Sequence, residues 1–186
     1  GNRHTMVISN LSLLLNLPQL IQPETQLEST LLTNSELVSG LNWGKPRFGH
    51  PEGKVDLHIR EVLDNIEQLN VAPDTRSKLR LLAITHDAFK FQEEKTVIAG
   101  QRIHHGILAR RFMKQHVKDE DFLDVLELHD EAFYAWRQIT LKDDYIGGQR
   151  RLEKLMNRLG DNVALYFLFF KCDTETGDKI LAPLYW

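Results

Sequence analysis

Apolar residues recur at intervals of three and four along most of this chain, and that period constrains the fold more than any other feature. The clearest stretch is residues 54–69, where the apolar positions are Val55, Ile59, Val62, Ile66 and Leu69. An α-helix has 3.6 residues per turn, so these side chains share one face. Similar patterns predict a helix that follows Pro73-Asp74, with Asp74 or Thr75 as its cap, and runs to about Phe89. They also predict helices over residues 100–115, 119–136, 149–159 and 163–172, with a polar connector at 142–148 and Gly160 ending the helix at 149–159. The sequence therefore predicts an all-α fold, a single-domain helical bundle.

Composition narrows the class of protein. The 186 residues are 42% apolar and 26% charged, an ordinary globular balance. The net charge of −3 provides no overall positive field for nucleic acid, which we do not expect as a partner. Cys172 is the single cysteine, which excludes an internal disulfide framework and suits a reducing compartment. No apolar stretch reaches the roughly 18–20 residues that cross a bilayer. We therefore expect a cytoplasmic protein that does not engage a membrane.

Proline and glycine positions suggest how the chain is divided. Residues 1–42 are predicted to be short helices broken at Pro18 and Pro23, with Asn34 as an N-cap, forming an appendage packed on the main domain. The domain itself is predicted over residues 43–174. It opens with a loop at 43–53 that holds three glycines and two prolines. Residues 175–186 form a tail. The N-terminal helices and this tail are candidates for covering the domain or for forming a homodimer.

Three histidines and one aspartate fall on the inward faces of the predicted helices. They are His58, His86, His129 and Asp173, and Asp87 follows His86 directly. A buried ionised carboxylate without a partner costs several kcal/mol. Imidazole and carboxylate groups that meet in a bundle core are stabilised by a divalent cation. The alternative for each histidine is a hydrogen-bonded core residue, and Asp173 could simply cap its helix. The ordered set favours a metal site, and nitrogen and oxygen donors without thiolates favour Mn²⁺, Fe²⁺, Co²⁺, Ni²⁺, Zn²⁺ or Mg²⁺.

The order of these groups resembles the HD superfamily of metal-dependent phosphohydrolases. His58, then His86-Asp87, then Asp173 lie on successive predicted helices, and the resemblance spans about residues 50–174. The string His50-Pro51-Glu52-Gly53 before His58 resembles the HD domain of bacterial tRNA nucleotidyltransferases. His86-Asp87-Ala88-Phe89-Lys90 keeps the His-Asp-x-x-Lys spacing, although Phe89 stands where the family often has glycine. The Arg150-Arg151-Leu152 segment and the hydrophobic run into Asp173 resemble the closing segments of that domain. The separate nucleotidyltransferase head is not recognisable, so the chain resembles a stand-alone HD domain.

The resemblance implies one divalent ion bound by His58, His86, Asp87 and Asp173. Several relatives have Gly-His-Glu where this chain has Gly100-Gln101-Arg102, so a histidine that helps to hold a second ion is absent at position 101. His104 and His105 lie one turn further along and could partly compensate, but their register does not match. We therefore expect one ion and not two. His129 is interpreted as a group beside the metal ligands or in contact with phosphate, with core packing as the equal alternative.

The same resemblance implies roles in catalysis. Asp87 would be both a metal ligand and a base that orients or deprotonates water. Lys90 is one turn further and can place an ammonium beside a phosphate. Further candidates for substrate binding are His50, His129, Arg47, Lys54, Arg150 and Arg151. For the arginines and Lys54, a solvated surface charge is an equally good interpretation.

Three functions remain open from the sequence. The first is a metal-dependent phosphohydrolase acting on a phosphomonoester or phosphodiester, with a nucleotide as the expected small-molecule substrate. The second is a non-catalytic or weakly active regulatory module that keeps the HD fold and binds metal and nucleotide, an alternative that Gln101 and Phe89 support. The third is a helical scaffold without metal.

Overall fold

The computed structural model describes residues 16–44, 53–93 and 95–176, and these residues are largely helical. In chain order the elements are α1 (Leu17–Ile21), α2 (Gln26–Leu31), α3 (Ser35–Leu41), α4 (Val55–Glu67), α5 (Pro73–Thr85), α6 (Lys90–Glu93), β1 (Val97–Ile98), β2 (Gln101–Arg102), α7 (His105–Met113), α8 (Glu120–Glu127), α9 (Glu131–Thr140), α10 (Tyr145–Leu159), a 3₁₀ turn (Gly160–Asn162) and α11 (Val163–Thr174). The prediction of an all-α single domain is confirmed. No helix in the described part of the chain is long and apolar enough to cross a membrane.

The core lies between α4, α5 and α11, which pack against one another. Ile59, Leu82 and Phe169, one from each helix, are all at most 1% exposed. Helices α7 and α8 form one neighbouring pair, and α9 and α10 form another. Because α8 also packs on α5, the ends of α5, α7, α8 and α11 lie close to one another. The side chains at or next to these helix ends include His86, His105, His129 and Asp173.

Helices α1 and α3 pack on α4, so the N-terminal segment shares the core of the domain. Leu31, Leu37 and Leu41 are fully buried in it. The predicted N-cap at Asn34 is confirmed, because its side chain accepts a hydrogen bond from the amide of Leu37 at 3.1 Å. The predicted boundaries at residues 42–43 and 174–175 stay predictions. Much of the predicted loop and tail lies outside the described residues.

The helix predicted over residues 100–115 begins five residues late, because a β-hairpin takes its first turn. Val97 pairs with Arg102 and Ile98 with Gln101 in antiparallel register. The two residues between the strands, Ala99 and Gly100, have φ of 53° and 79°. Positive φ at both central positions is the geometry of a tight hairpin turn. Helix α7 therefore starts at His105.

The helix predicted over residues 119–136 is two helices, α8 and α9, and a distant tyrosine causes the break. The Tyr166 hydroxyl donates to the carbonyl of Leu128 at 2.7 Å and accepts from the amide of Ala132 at 3.1 Å. These two backbone groups would bond each other directly in a continuous helix. The inserted hydroxyl opens the chain at residues 128–130, and the His129 side chain in this break is buried.

Other helix boundaries differ by smaller amounts. Helix α5 begins at Pro73, with Ala72 at the N-cap position in place of the predicted Asp74 or Thr75, since proline suits the first helical turn. The predicted connector at 142–148 ends early, because Asp144 caps α10 through the amide of Gly147 at 2.9 Å. The predicted end of that helix at Gly160 is confirmed.

Candidate metal centre

The four side chains predicted to bind a metal lie together in the interior. The Nε2 atom of His58 is 2.8 Å from Oδ1 of Asp173 and 3.6 Å from Oδ2 of Asp87. The Nε2 atom of His86 is 3.2 Å from each of the same two oxygens. All four side chains are at most 6% exposed. Two imidazoles and two carboxylates from three separate segments therefore face one point. We name this group the first centre.

The four side chains of the first centre come from three helices and the turn after α5. His58 lies on the buried stripe of α4, whereas His86 caps the C-terminus of α5 and Asp87 begins the turn that follows. Asp173 is the penultimate residue of α11. The ring of Phe169, one turn earlier on α11, meets the His86 ring edge-on at 5.1 Å between centroids. The polar cluster is thus closed on one side by the apolar core.

The hydrogen bonds of the other ring nitrogens orient both histidines of the first centre. His86 Nδ1 lies 2.9 Å from the carbonyl of Ala83, and His58 Nδ1 lies 3.3 Å from the Thr176 hydroxyl. That hydroxyl donates to the carbonyl of Asp173, so it accepts from His58. These acceptors assign a hydrogen to each Nδ1 and direct each Nε2 at the carboxylates. A ring held in this way by its second nitrogen is typical of histidines that bind metals.

The charges of the first centre are strongly coupled. Burial lowers the pKa of His86, but Asp87 and Asp173 outweigh it and raise that pKa to about 10. Burial raises the pKa of Asp87, but His86 and then Lys90 bring it well below its usual range. The raised pKa of His86 favours a positive charge between the two carboxylates.

A second group of ligand atoms lies on the other side of Asp87. The Oδ1 atom of Asp87 is 3.3 Å from Nε2 of His105 and 3.6 Å from Nε2 of His129. The two Nε2 atoms are 3.2 Å apart. His105 Nδ1 lies 3.3 Å from Glu93 Oε2, and His129 Nδ1 lies 2.8 Å from the carbonyl of Leu126. Both rings therefore direct Nε2 at Asp87. We name Asp87, His105 and His129 the second centre, and its three ligand atoms are close enough together to hold one ion.

His105 was predicted to be a partial substitute for the missing histidine, in a register that does not match. The hairpin moves the start of α7 to His105, whose side chain is 3% exposed and contacts Asp87. Gln101, the position that argued for a single ion, is exposed on β2 and away from the helix start. The Ala99-Gly100 pair before a double histidine was the available signal, because it allows a hairpin turn.

Unequal surroundings give the two histidines of the second centre different charges. Burial lowers the pKa of His105, but Asp130, Asp87 and Glu93 outweigh it and raise that pKa well above its usual range. Burial also lowers the pKa of His129, and in that case it prevails. One charged and one neutral imidazole therefore meet at Asp87 in the metal-free protein.

The cations predicted to bind phosphate have different positions. Lys90 Nζ is 3.3 Å from Asp87 Oδ2, and its side chain is 14% exposed at the edge of the first centre. Arg151 pairs with Glu131 at 2.7 Å, and Arg150 is exposed on α10. Lys54 immediately precedes α4. Arg47 and His50 lie outside the described residues. Of these groups, Lys90 is the one that the structure places against a predicted metal ligand, and the phosphate-binding roles stay predictions.

Comparison with known proteins adds no relative. No protein-family model, curated protein or solved structure matches this chain. The interpretation of the two centres therefore depends on the geometry of their own residues. That geometry establishes buried histidine and aspartate clusters that could hold metal ions.

Proposed function

We propose that this protein is a metal-dependent phosphohydrolase of the HD type, acting on a phosphomonoester or phosphodiester, with a nucleotide as substrate. One observation carries the proposal. Two imidazoles and two carboxylates meet inside the bundle. Their Nε2 and carboxylate oxygen atoms are 2.8–3.6 Å apart, and they belong to His58, His86, Asp87 and Asp173. These are the four residues that the resemblance implies.

The residues present suit a divalent ion. The donors are imidazole nitrogen and carboxylate oxygen, which bind Mn²⁺, Fe²⁺, Co²⁺, Ni²⁺, Zn²⁺ or Mg²⁺, and the nearest oxygen acceptors fix the orientation of both rings. When bound, such an ion polarises a phosphoryl oxygen and lowers the pKa of coordinated water toward neutrality.

The protein side chains provide the rest of the chemistry. Asp87 directs one oxygen toward each centre, where a carboxylate can accept a hydrogen bond from a water molecule and orient it. Lys90 lies against the same carboxylate and is partly exposed, so its ammonium can meet a phosphate that approaches from solvent. Phe169 and the neighbouring core exclude water from the opposite side.

We further propose two ions in place of the one predicted from the sequence. Oδ2 of Asp87 faces His58 and His86, while Oδ1 faces His105 and His129. A carboxylate with each oxygen directed at a separate pair of imidazoles is suited to bridging two cations. Paired ions can stabilise both the attacking and the leaving oxygen of a phosphoryl group.

A regulatory module without turnover is the second candidate, and burial favours it. The side chains of the first centre are at most 6% exposed. Phe89 lies two residues after Asp87 and is 1% exposed. Its ring packs on Phe112, with 5.0 Å between the ring centroids. A tightly filled turn beside the ligands leaves less room for a substrate than glycine would.

The two candidates are separated by assaying protein stripped with a chelator and reloaded with Mn²⁺, Co²⁺ or Ni²⁺. Substrates are p-nitrophenyl phosphate, its bis-ester and a nucleotide panel. We expect turnover that falls to background in Asp87→Ala and is unchanged in the control Asp161→Ala, an exposed aspartate. Circular dichroism shows whether both variants fold. Tight nucleotide binding without turnover under every metal would support the regulatory module, and protein that binds no metal would refute both.

A further inference from the structure

Three polar side chains lie beside the second centre and have no role in the proposed function. Asp130 Oδ2 is 3.0 Å from Nε2 of His104 and 3.4 Å from the hydroxyl of Tyr134. His104 Nε2 also lies 3.0 Å from that hydroxyl. The three groups form a closed triangle at the junction of α7 and α9. Its members are more exposed than the metal-ligand candidates, with 16% for the Asp130 side chain and 25% for His104.

Helix capping fixes the role of His104. Its Nδ1 accepts the backbone N–H of Gly106 at 2.9 Å, which caps the start of α7. The hydrogen of the neutral ring is therefore on Nε2, and it is donated to Asp130. His104 offers no lone pair to a metal without losing the cap. Ligand atoms also lie close together in a third group, which consists of Glu93, His104 and His105. We interpret this group as a hydrogen-bonded support and not as a separate metal site.

The other side of Asp130 faces the second centre. Its Oδ2 is 3.2 Å from Nε2 of His105, and its Oδ1 is 3.5 Å from Nε2 of His129. His105 Nε2 is therefore nearly equidistant from Asp130, Asp87 and His129, at 3.2, 3.3 and 3.2 Å. One N–H points well at only one acceptor. Asp130 thus presents one oxygen to each of the two histidines that also face Asp87.

We propose that Asp130 is a fourth protein ligand of the ion at the second centre, beside Asp87, His105 and His129, and that His104 and Tyr134 hold it there. This inference rests on the two-ion form of the proposed function. Asp87 is shared by the two centres, so Asp130 would give the second ion a carboxylate of its own, as Asp173 does for the first. Four nitrogen and oxygen donors from the protein suit Zn²⁺, Co²⁺ or Mn²⁺. Asp130 is thus a ligand, while His104 and Tyr134 are positioning residues.

The test uses the full chain and Mn²⁺ alone as the probe. Chelator-stripped protein is dialysed against graded Mn²⁺, and bound ions are counted by elemental analysis. We expect wild type to bind two ions. In Asp130→Asn the first ion should bind as in wild type, and the second should bind at least about 10–100-fold more weakly, the loss typical of changes around a metal. The matched control Asp161→Asn changes an exposed aspartate and should leave both affinities unchanged.

A second variant keeps the test decisive if Asp130→Asn does not fold. Tyr134→Phe removes one donor to Asp130 but keeps the ring, and it should weaken only the second ion, by about 10-fold. Electron paramagnetic resonance provides an independent measurement, because two Mn²⁺ ions joined by Asp87 give a spin-coupled signal. Both variants should lose that coupled signal at Mn²⁺ concentrations that saturate the first site.

Each remaining outcome has a defined meaning. If Asp130→Asn and Tyr134→Phe bind two ions with wild-type affinity, the inference is overturned. If Asp130→Asn fails to fold, the affinity of Tyr134→Phe for the second ion decides the question: weaker binding supports the inference, and wild-type affinity overturns it. If wild type binds one ion and hydrolyses phosphate esters, the inference fails while the phosphohydrolase proposal survives. Binding of no ion refutes both.

Discussion

A buried ion pair joins the N-terminal segment to the helix that carries the first centre, and breaking it should destabilise the protein strongly. Arg80 on α5 donates to Glu28 on α2 from Nε at 3.0 Å and from Nη2 at 2.8 Å, and their side chains are 1% and 0% exposed. Arg80 Nη2 also donates to the carbonyl of Gln22 at 3.0 Å. The change Glu28→Gln keeps the volume but removes the nearest counter-charge of the buried guanidinium, which then has only the more exposed Glu24 at 3.5 Å.

Removing one partner of a buried pair costs about 3–5 kcal/mol. For a chain of this size, each kcal/mol of lost stability lowers the thermal unfolding midpoint by about 2–4 °C. The midpoint of Glu28→Gln should therefore be about 6–20 °C lower than that of wild type. Thermal and urea unfolding, followed by circular dichroism, measure both values. The double variant Glu28→Leu with Arg80→Met should be more stable than Glu28→Gln, since apolar pairs often replace buried ion pairs without loss. A cost below about 1 kcal/mol, the value of an exposed pair, would refute the reasoning.

Three further changes test the packing around the site. In Gly40→Ala the new Cβ would lie 1.6 Å from the carbonyl oxygen of Ala88, so α3 must shift; we expect a loss of at least about 1–3 kcal/mol and weaker metal binding, measured by melting and dialysis. Tyr166→Phe leaves the buried amide of Ala132 without its acceptor and should cost about 1–3 kcal/mol in urea unfolding; no loss would contradict the proposed helix break. Cys172 is 2% exposed, and burial raises its pKa to about 11, so Ellman's reagent at pH 8 should label it only after unfolding; rapid labelling of native protein would show that it is accessible.

The sequence predicted the features that depend on local pattern. The apolar stripe of α4 places His58 inward whatever the rest of the fold does, and the side chain of Asn34 and the backbone of Gly160 decide their helix boundaries locally. The convergence of His58, His86, Asp87 and Asp173 could be predicted because their order along the chain resembles a known arrangement. Geometry supports that convergence, whereas bound metal and catalysis remain proposals.

The second centre could not be predicted because it depends on contacts between distant residues. The break between α8 and α9 is made by Tyr166, more than 30 residues away, and no local signal at residues 128–132 indicates it. His105 reaches Asp87 because the Ala99-Gly100 turn forms a hairpin in place of a helical turn. A helical period continued through residues 99–100 and 128–130 put His105 out of register, and Asp130 was not predicted as a metal ligand.

Anomalous diffraction from a crystal grown with Mn²⁺ tests whether a metal ion binds at the first centre. We expect an anomalous peak within about 2.0–2.4 Å of His58 Nε2, His86 Nε2 and oxygens of Asp87 and Asp173. The two-ion form predicts another peak between Asp87 and His105. Absence of any peak among the first four side chains, or an Asp173 carboxylate turned away from both histidines, would contradict the account.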